Sequence, residues 1–391
     1  MKARINWQTE ISGMQSRNNF LQVGGQIIFG SSGSAWNNPD PKDGVYSIDP
    51  DSGRVNWFIH SNADVNEIAL INGVILAPTD DGDLLFIDSK SGNILNQVSL
   101  GAASFGAPTT LVFNGQRHAL IATHTGAVFL LDVNRCKAVL VAELNVPIRS
   151  SLLVHGESVL AFSETGLIIG LSPSNDWASE LLCNAPIGHF GGPSGIAVAP
   201  LKAGNRLYVG YVRETYYDDP PLFCFDLDRH EIVWEARSRS KNYFGNLRAS
   251  PTMVGGSIAI APAYSDSLLF VSPRTGQIES EIVVGQSTFQ QWSGPAKLSN
   301  RFVALGRVDG VCSIVDAKKR RLTSSISLVT AQTEKSFSKQ HADGVPPASQ
   351  LFPGEPAPEG GIVGKLLHTG SALFVGTTDG QIARIELSWI E

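Results

Sequence analysis

Two aspartate-rich segments of the sequence carry the residue types that bind calcium. Asp49-Pro-Asp51-Ser-Gly53 and Asp80-Asp-Gly-Asp83 each hold carboxylates close together beside a glycine. A calcium loop of the EF-hand type ends in a glutamate that binds the ion through both oxygens, and neither segment leads to one. Aspartate and glycine are also the ordinary residues of tight turns. We therefore interpret both segments as hairpin turns and predict no metal site.

Histidines, glycine-rich segments and a basic run are the other candidates for chemistry. His230-Glu-Ile-Val-Trp234 lacks the second histidine of a zinc protease motif, and no Gly-x-Ser-x-Gly nucleophile elbow is present. Gly30-Ser-Ser-Gly33 and Gly188-His-Phe-Gly-Gly-Pro193-Ser-Gly195 lack the lysine and the following helix of a phosphate-binding loop. We interpret the segment at His230, both glycine-rich segments and the basic run Lys318-Lys-Arg-Arg321 as turns. We predict no catalytic residue and no cofactor.

The composition excludes several classes of protein. The 391 residues include 39 glycines and only 17% charged residues, which argues against helical bundles and coiled coils. A net charge of −6 gives no basic field, so we expect no direct contact with nucleic acid. No apolar stretch reaches the length of about 18 residues that spans a membrane. The start, Met1-Lys-Ala-Arg, lacks the apolar core of a secretory signal, and we expect no membrane contact.

The four cysteines are dispersed along the chain and form no Cys-x-x-Cys pair. Cys224 and Cys312 lie inside apolar runs, which predicts buried free thiols. Free thiols are typical of a reducing compartment, so we expect a cytoplasmic protein.

One pattern recurs along the whole sequence. It consists of an apolar strand, a turn of the Asp-Gly type, a second apolar strand that ends in Asp or Ser, and a polar turn with a third strand. The instances lie at residues 43–53, 81–92, 125–132, 165–172, 222–226, 267–276, 309–316 and 379–386. Their spacing averages about 48 residues, the period of a propeller blade.

The repeat predicts an all-β protein with one domain, an eight-bladed, WD40-like β-propeller of four-stranded blades. The blades are expected at about 11–60, 61–100, 101–144, 145–184, 185–236, 237–284, 285–328 and 359–391, the last completed by residues 3–10. Ala3-Arg-Ile-Asn-Trp7 nearly copies Arg54-Val-Asn-Trp57, so the N-terminal strand is expected to close the last blade and to remove an exposed edge. Residues 330–358 are expected to form an inserted Pro-rich loop.

The unit Val45-Tyr-Ser-Ile-Asp-Pro-Asp-Ser-Gly-Arg-Val-Asn-Trp57 resembles the repeat of quinoprotein-like (PQQ-type) eight-bladed propellers, and the resemblance covers essentially all of the chain. That family includes quinone-dependent dehydrogenases and non-enzymatic scaffolds, such as the lipoprotein of the outer-membrane assembly machinery. The dehydrogenases carry an adjacent-cysteine disulfide over the cofactor, and this sequence has no Cys-Cys pair and no Cys-x-x-Cys-His haem site. It also lacks the signal and lipid-anchor cysteine of the periplasmic scaffolds. The resemblance therefore implies a scaffold without a cofactor.

The longest connections between strands all fall on one face of such a propeller. With strands lettered A to D from the channel outward, this face carries the B–C and D–A connections, and the other carries the A–B and C–D turns. Aromatic residues and arginine dominate the hot spots of protein interfaces. We predict that the aromatic residues of these connections bind a partner: Trp36, Tyr216, Tyr217, Tyr243, Phe244, Phe289 and Trp292.

A second set of residues is expected at the mouth of the channel on the same face. Five of these residues precede the A strands of their blades by a constant distance: Arg17, Phe105, Arg149, Phe190 and Arg248. His189 is added because it is next to Phe190 in the sequence. Arginine forks would suit a segment that bears carboxylate or phosphate groups. The alternative is that these side chains pack against neighbouring loops.

The sequence favours a non-catalytic scaffold that is monomeric by itself and binds protein partners within a larger assembly. Two alternatives stay open. One is an enzyme with a site at the channel mouth, either a divergent quinoprotein or a hydrolase or lyase that uses His189, Arg149 and Arg248. The other is a propeller that binds carbohydrate or another small ligand on Trp36 and Trp292.

Overall fold

The structure is a computed structural model that describes most of the chain. The described residues are 1–15, 17–33, 39–185, 195–196, 198–212, 221–237, 247, 249–262, 267–285, 293–328 and 360–388. Within them, the chain forms eight four-stranded antiparallel sheets arranged in a ring, which confirms the predicted eight-bladed β-propeller.

Within each blade the strands follow one another in chain order from the channel outward, except that the first strand of the chain, β1 (Lys2–Glu10), is the outermost strand of the last blade. Blade 1 consists of β2 (Phe20–Val23), β3 (Gln26–Ser32), β4 (Asp43–Ile48) and β5 (Val55–His60). Blade 2 consists of β6 (Ala69–Ile71), β7 (Val74–Pro78), β8 (Asp83–Asp88) and β9 (Ile94–Ser99). Blade 3 consists of β10 (Thr109–Phe113), β11 (Gln116–Ala122), β12 (Ala127–Asp132) and β13 (Lys137–Glu143). Blade 4 consists of β14 (Leu153–His155), β15 (Ser158–Phe162), β16 (Leu167–Ser172) and β17 (Ala178–Asn184).

The second half of the ring repeats this order. Blade 5 consists of β18 (Leu201–Ala203), β19 (Arg206–Gly210), β20 (Leu222–Asp226) and β21 (Glu231–Glu235). Blade 6 consists of β22 (Thr252–Val254), β23 (Ser257–Ile260), β24 (Ser267–Val271) and β25 (Ile278–Val283). Blade 7 consists of β26 (Ala296–Lys297), β27 (Phe302–Gly306), β28 (Val311–Asp316) and β29 (Arg321–Ser327). Blade 8 consists of β30 (Leu367–Thr369), β31 (Ala372–Gly376) and β32 (Gln381–Ser388), with β1 as its outer strand.

The A–B turns explain part of the high glycine content. In blades 2 and 3 these turns are Asn72-Gly73 and Asn114-Gly115, and all four residues have φ between +50° and +79°. Such two-residue hairpin turns need positive φ at both central positions, and Gly and Asn tolerate that conformation best. Because their twist matches that of the strands, these turns set the register of the A and B strands.

Each blade is apolar on both faces because it packs between two neighbours. In β8, Leu85 and Ile87 pack against blade 1, whereas Leu84 and Phe86 pack against blade 3. Successive side chains of a strand point to opposite faces of its sheet, so a strand that is apolar at most positions serves two interfaces. The described residues form eight buried apolar clusters, one at each interface between neighbouring blades. The ring is therefore closed by apolar packing.

The N-terminal strand completes the last blade, as the sequence predicted. β1 pairs antiparallel with β32, from Lys2 opposite Ser388 to Glu10 opposite Gln381. This pairing joins the two ends of the described chain in one sheet and covers the edge of β32, which would otherwise be open to another strand.

Three tryptophans of outer strands pack against a glycine in the next blade. The pairs are Trp7 with Gly53, Trp57 with Gly92 and Trp234 with Gly276. A Cβ atom at each of these glycines would lie 2.5 to 2.7 Å from an indole carbon, so no larger residue fits there without a shift. The Trp of the repeat unit thus links neighbouring blades near the rim.

Helix is scarce in the part of the chain that the structure describes. A single 3₁₀ turn, Pro173–Asn175, connects β16 to β17 and begins with proline, whose fixed φ suits the first position. No helix among the described residues is long and apolar enough to cross a membrane.

The predicted buried thiols are confirmed. Cys224 and Cys312 are fully buried, and burial raises the pKa of the first thiol to about 11 and that of the second to about 12. Cys136 and Cys183 are half-buried, and all four cysteines are free.

Candidate functional site

The structure describes three of the predicted channel-mouth residues. Arg17, Phe105 and Arg149 lie in the connections that lead into β2, β10 and β14, the inner strands of blades 1, 3 and 4. The other three mouth residues and all seven predicted partner-binding residues lie outside the described ranges: His189, Phe190, Arg248, Trp36, Tyr216, Tyr217, Tyr243, Phe244, Phe289 and Trp292. The 330–358 insertion also lies outside them.

The three described mouth residues contact one another. The guanidinium carbon of Arg17 lies 4.9 Å from the centre of the Phe105 ring, and that of Arg149 lies 4.6 Å from it. Blades 1 and 3 are not neighbours, so Arg17 can reach Phe105 only near the axis of the ring. Each contact is a cation–π interaction, which contributes about 0.5–1 kcal/mol where exposed and more where water is excluded.

Arg17 is also held by two carboxylates of blade 2. Its two terminal nitrogens donate to the two oxygens of Asp80, at 2.7 and 2.9 Å, and Nη2 lies 3.5 Å from Asp64. The side-chain amide of Asn66 donates to Oδ1 of Asp80 at 2.8 Å, the oxygen that also accepts from Nη1 of Arg17. The Asp64 side chain is almost wholly buried, with 1% of its surface exposed. A forked pair of this kind fixes the orientation of the guanidinium as well as its charge.

Arg149 has its own carboxylate partner in blade 4, since its Nε forms an ion pair with Glu164. His124 contacts both Glu164 and the aromatic ring of Phe105. Its Nδ1 is 3.7 Å from Glu164, and its ring meets Phe105 edge-on at 5.3 Å. Burial lowers the pKa of His124 below its ordinary value; Arg149 lowers it further, and Glu164 opposes the shift. The lowered pKa favours the neutral form of His124.

We call these seven residues the mouth cluster: Arg17, Asp64, Asp80, Phe105, His124, Arg149 and Glu164. The cluster holds two guanidiniums and three carboxylates, and each guanidinium is paired within it. The sequence suggested that the arginines would bind an external carboxylate or phosphate. The structure supplies carboxylates from the neighbouring turns instead, which matches the alternative that these side chains pack against neighbouring loops.

Four members of the mouth cluster, Asp64, Asp80, His124 and Glu164, were not predicted as mouth residues, and the last three share one position. Asp80, His124 and Glu164 each stand two residues before the glycine of a B–C turn, after a Thr or Ser. The hydroxyl of that residue accepts a hydrogen bond from the backbone four residues on, at 2.8 to 3.1 Å, and so shapes all three turns alike. A charged or titratable residue at this turn position is the signal that could have found them.

Three other sequence candidates, residues 49–53, His230 and residues 318–321, lie in C–D turns on the other face, whereas residues 188–194 lie outside the described ranges. Oδ1 of Asp49 accepts hydrogen bonds from the backbone of Asp51 and from the backbone and hydroxyl of Ser52, which keep the pKa of Asp49 below its ordinary value. The segment is a turn that binds its own backbone. His230 also lies in a C–D turn, where its ring stacks parallel to that of Phe225. Within the described ranges, no three His, Cys, Asp or Glu side chains are grouped as metal ligands would be.

A cleft of about 380 Å³ opens between blades 4 and 5 on the face with the A–B and C–D turns. Gly170 lines it, at a C-strand position where blades 2 and 6 carry phenylalanine. Leu182 and Leu227 contribute apolar walls, and His155 and His230 stand at the rim. The missing side chain at Gly170 explains the space, and the lining could hold a small molecule with one apolar face.

Comparisons with known proteins agree with this architecture. No protein-family model and no curated protein match the sequence. The crystal structure of BamB from Moraxella catarrhalis matches with a TM-score of 0.67 at 13% identity, over 100% of this chain and 99% of that one. The computationally designed Ika8 protein matches with a TM-score of 0.66 at 11% identity, over 97% and 98%. These similarities show the fold alone.

In this propeller the mouth cluster joins four consecutive blades at the axis. Its members come from blades 1 to 4, and Lys365 of blade 8 adds an ion pair to Glu67 of blade 2. Side chains from the D–A connections and the B–C turns therefore interlock around one side of the channel mouth. The described part of this face is thus held together by ion pairs between its own connections.

Proposed function

We propose that this protein is a non-catalytic scaffold that binds a protein partner through the face with the D–A and B–C connections. One observation carries the proposal, the unequal length of the connections on the two faces. The A–B and C–D connections are at most six residues long, as between β4 and β5. On the other face, 39 residues separate β29 from β30, and 16 separate β17 from β18. Function concentrates on loops that a rigid scaffold holds.

The mouth cluster supports a binding role rather than catalysis. Arg17 and Arg149 are already paired, and His124 is packed against Phe105. Groups held in this way orient the surrounding loops and give a rigid base to the long connections. A platform that is ordered before binding loses less conformational entropy when a partner docks.

The repeat unit at residues 45–57 and the fold shared with BamB support a place among the PQQ-type propellers, in the branch without cofactor. The free thiols support a reducing compartment, so we propose a cytoplasmic protein that works inside a larger assembly.

The proposal is tested with a face variant that lacks residues 332–357 and carries Tyr216→Ala, Tyr217→Ala and Trp292→Ala. Tagged wild type and variant are purified from the native host, and the proteins that elute with each are quantified by mass spectrometry. We expect the amount of partner that elutes with the face variant to be at least about tenfold lower than with wild type. Truncation of two or three hot-spot aromatic residues costs more than about 1.4 kcal/mol of binding free energy, which is a factor of ten in affinity.

A control variant tests whether any surface truncation has this effect. Leu95→Ala, Leu140→Ala and Leu181→Ala remove exposed apolar side chains from the outer strands of blades 2, 3 and 4. The control variant is expected to retain the partner. Retention of every partner by the face variant, or equal loss from both variants, would refute the proposed binding face.

A further inference from the structure

The A–B and C–D face of blades 6 and 7 carries a strong excess of positive charge, although the whole chain has a net charge of −6. We call this surface the basic sector. Its turns and strand ends hold seven basic residues, Arg274, Lys297, Arg301, Lys318, Lys319, Arg320 and Arg321, and two acidic ones, Glu279 and Asp316.

Both acidic residues are already paired with arginines of the sector. Arg301 donates from Nε to Asp316 at 2.8 Å, and Arg320 donates from Nη2 to Glu279 at 3.0 Å. The guanidinium of Arg320 also lies 4.1 Å from the centre of the Phe270 ring, which holds it back against blade 6. These two arginines therefore belong to the fold, and their pairs add no net charge.

Five cations of the sector are exposed and form no ion pair with any described residue: Arg274, Lys297, Lys318, Lys319 and Arg321. The turn that bears two of them is rigid. The backbone N–H groups of Lys318 and Lys319 donate to Oδ1 of Asp316 at 3.1 and 2.9 Å, so the buried carboxylate shapes the turn while both side chains point outward. The fold thus fixes the backbone from which two of these exposed cations project.

In blades 1 to 3 the C–D turns of the same face carry charges of both signs. There the C–D turns carry Arg54, Lys90 and Arg135, each close in sequence to an aspartate of the same turn. Asp88, for example, lies two residues before Lys90, and Asp132 lies 3.7 Å from Arg135. The basic sector is therefore a local feature of the turns in blades 6 and 7.

We propose that the basic sector docks the propeller on a membrane surface of anionic lipids. Its cations sit at turn tips and strand ends on the flat end of the ring, so a planar layer of headgroups can meet them together, whereas a curved duplex can meet only some of them. Each Lys or Arg near an anionic membrane contributes on the order of 1 kcal/mol of attraction. In the sequence, membrane contact was not expected because long apolar stretches and the apolar core of a secretory signal were not found. A charged surface can bind anionic headgroups without either feature.

The test measures sedimentation of the purified full chain with vesicles. One set contains phosphatidylcholine alone, and the other is an equal mixture of phosphatidylserine and phosphatidylcholine. We expect binding only to the anionic set, with weaker binding at about 0.15 M salt than at low salt because salt screens exposed charges. A patch variant, Arg274→Glu with Lys318→Glu and Lys319→Glu, is expected to bind at least about tenfold more weakly.

The matched control reverses three exposed cations in the same kind of turn, Arg54→Glu, Lys90→Glu and Arg135→Glu. It changes the net charge equally and is expected to bind within about twofold of wild type. Thermal unfolding checks that each variant is folded, and glutamine replaces glutamate at the three patch positions if the first patch variant is not. The proposal is overturned if the wild-type protein does not sediment with anionic vesicles, whether or not it binds a short DNA duplex. It is also overturned if the control variant loses as much vesicle binding as the patch variant.

Discussion

Trp7 in the outer strand of the last blade packs its indole ring against Gly53 in the first blade. Its Nε1 also donates a hydrogen bond of 2.9 Å to the carbonyl oxygen of Pro50. This contact, together with the pairing of β1 and β32, ties the two ends of the chain across the seam of the ring. Replacing Gly53 should therefore weaken the closure of the ring.

Gly53→Ala is expected to destabilise the protein more than Gly73→Ala. Both glycines have φ near +75°, which costs an L-residue roughly 1–2 kcal/mol. A Cβ at Gly53 would also lie 2.7 Å from the Trp7 ring, whereas nothing lies within 4 Å of a Cβ at Gly73. Urea unfolding should give a loss of about 1–2 kcal/mol for Gly73→Ala and at least about 1 kcal/mol more for Gly53→Ala. Equal losses would show that the tryptophan contact adds nothing.

A double-mutant cycle should show that Arg149 and Phe105 are coupled. The single variants Arg149→Gln and Phe105→Leu each remove the cation–π contact, and the double variant loses it only once. The free energies of unfolding should therefore differ from additivity by about 0.5–2 kcal/mol, the range of such contacts. An additive cycle would mean that the guanidinium gains nothing from the ring.

The pKa of Asp43 predicts an unusual pH dependence of stability. Burial raises this pKa from 3.8 to about 6, and nearby Asp40 adds to the rise, although the Asp40 backbone N–H and His60 oppose it. The folded state therefore binds this proton more tightly than the unfolded state, so the contribution is present below about pH 4 and is lost as pH rises to 6. From pH 4 to pH 7, wild type should lose up to about 3 kcal/mol relative to Asp43→Asn.

Asp88→Asn serves as the control for this measurement because its shift has the opposite sign. Hydrogen bonds from the backbone and hydroxyl of Ser91 hold the pKa of Asp88 below its ordinary value. Wild type should therefore gain stability relative to Asp88→Asn as pH rises through the acid range. Urea unfolding from about pH 2 to pH 8 measures both differences, the one for Asp88→Asn below about pH 4 and the one for Asp43→Asn above it. A flat difference between wild type and Asp43→Asn would contradict the assigned shift.

The sequence repeat made the eight-bladed ring predictable. It did not predict which carboxylates pair with the arginines at the channel mouth. The copy of the repeat at residues 3–7 located the closing strand, and the constant spacing before the A strands located Arg17, Phe105 and Arg149. Arg17 and Asp80 are 63 residues apart, and Asp81 and Asp83 offer the same chemistry nearby. Only the positions of neighbouring blades in space decide which carboxylate meets the arginine.

The basic run at residues 318–321 shows the same limit. In the sequence, its four consecutive basic residues look equivalent, and together they predict a solvated turn. In the structure Arg320 folds back on Phe270 and Glu279 of blade 6, while Lys318, Lys319 and Arg321 are exposed. The difference depends on a neighbouring blade and on the positive φ of Arg320, +51°, neither of which the run itself contains.

Thiol reactivity should follow the burial of the four cysteines. In the native state, a small thiol reagent should label Cys136 and Cys183 slowly, because both are half-buried and burial raises both pKa values. Cys224 and Cys312 should react only after unfolding, since only the thiolate is reactive and both thiols are inside blade interfaces. Mass spectrometry of labelled peptides at several urea concentrations measures this. Native labelling of Cys312 would contradict the closed packing of blades 7 and 8.

Cross-linking of the purified native complex tests the proposed scaffold role most directly. Lys42 and Lys365 are partly exposed and lie in the B–C connection of blade 1 and the D–A connection before β30, on the proposed binding face. Lys90 and Lys137 lie beside C–D turns on the opposite face. An amine-reactive cross-linker followed by mass spectrometry should join the partner to Lys42 or Lys365. Partner cross-links confined to Lys90 and Lys137 would contradict the account.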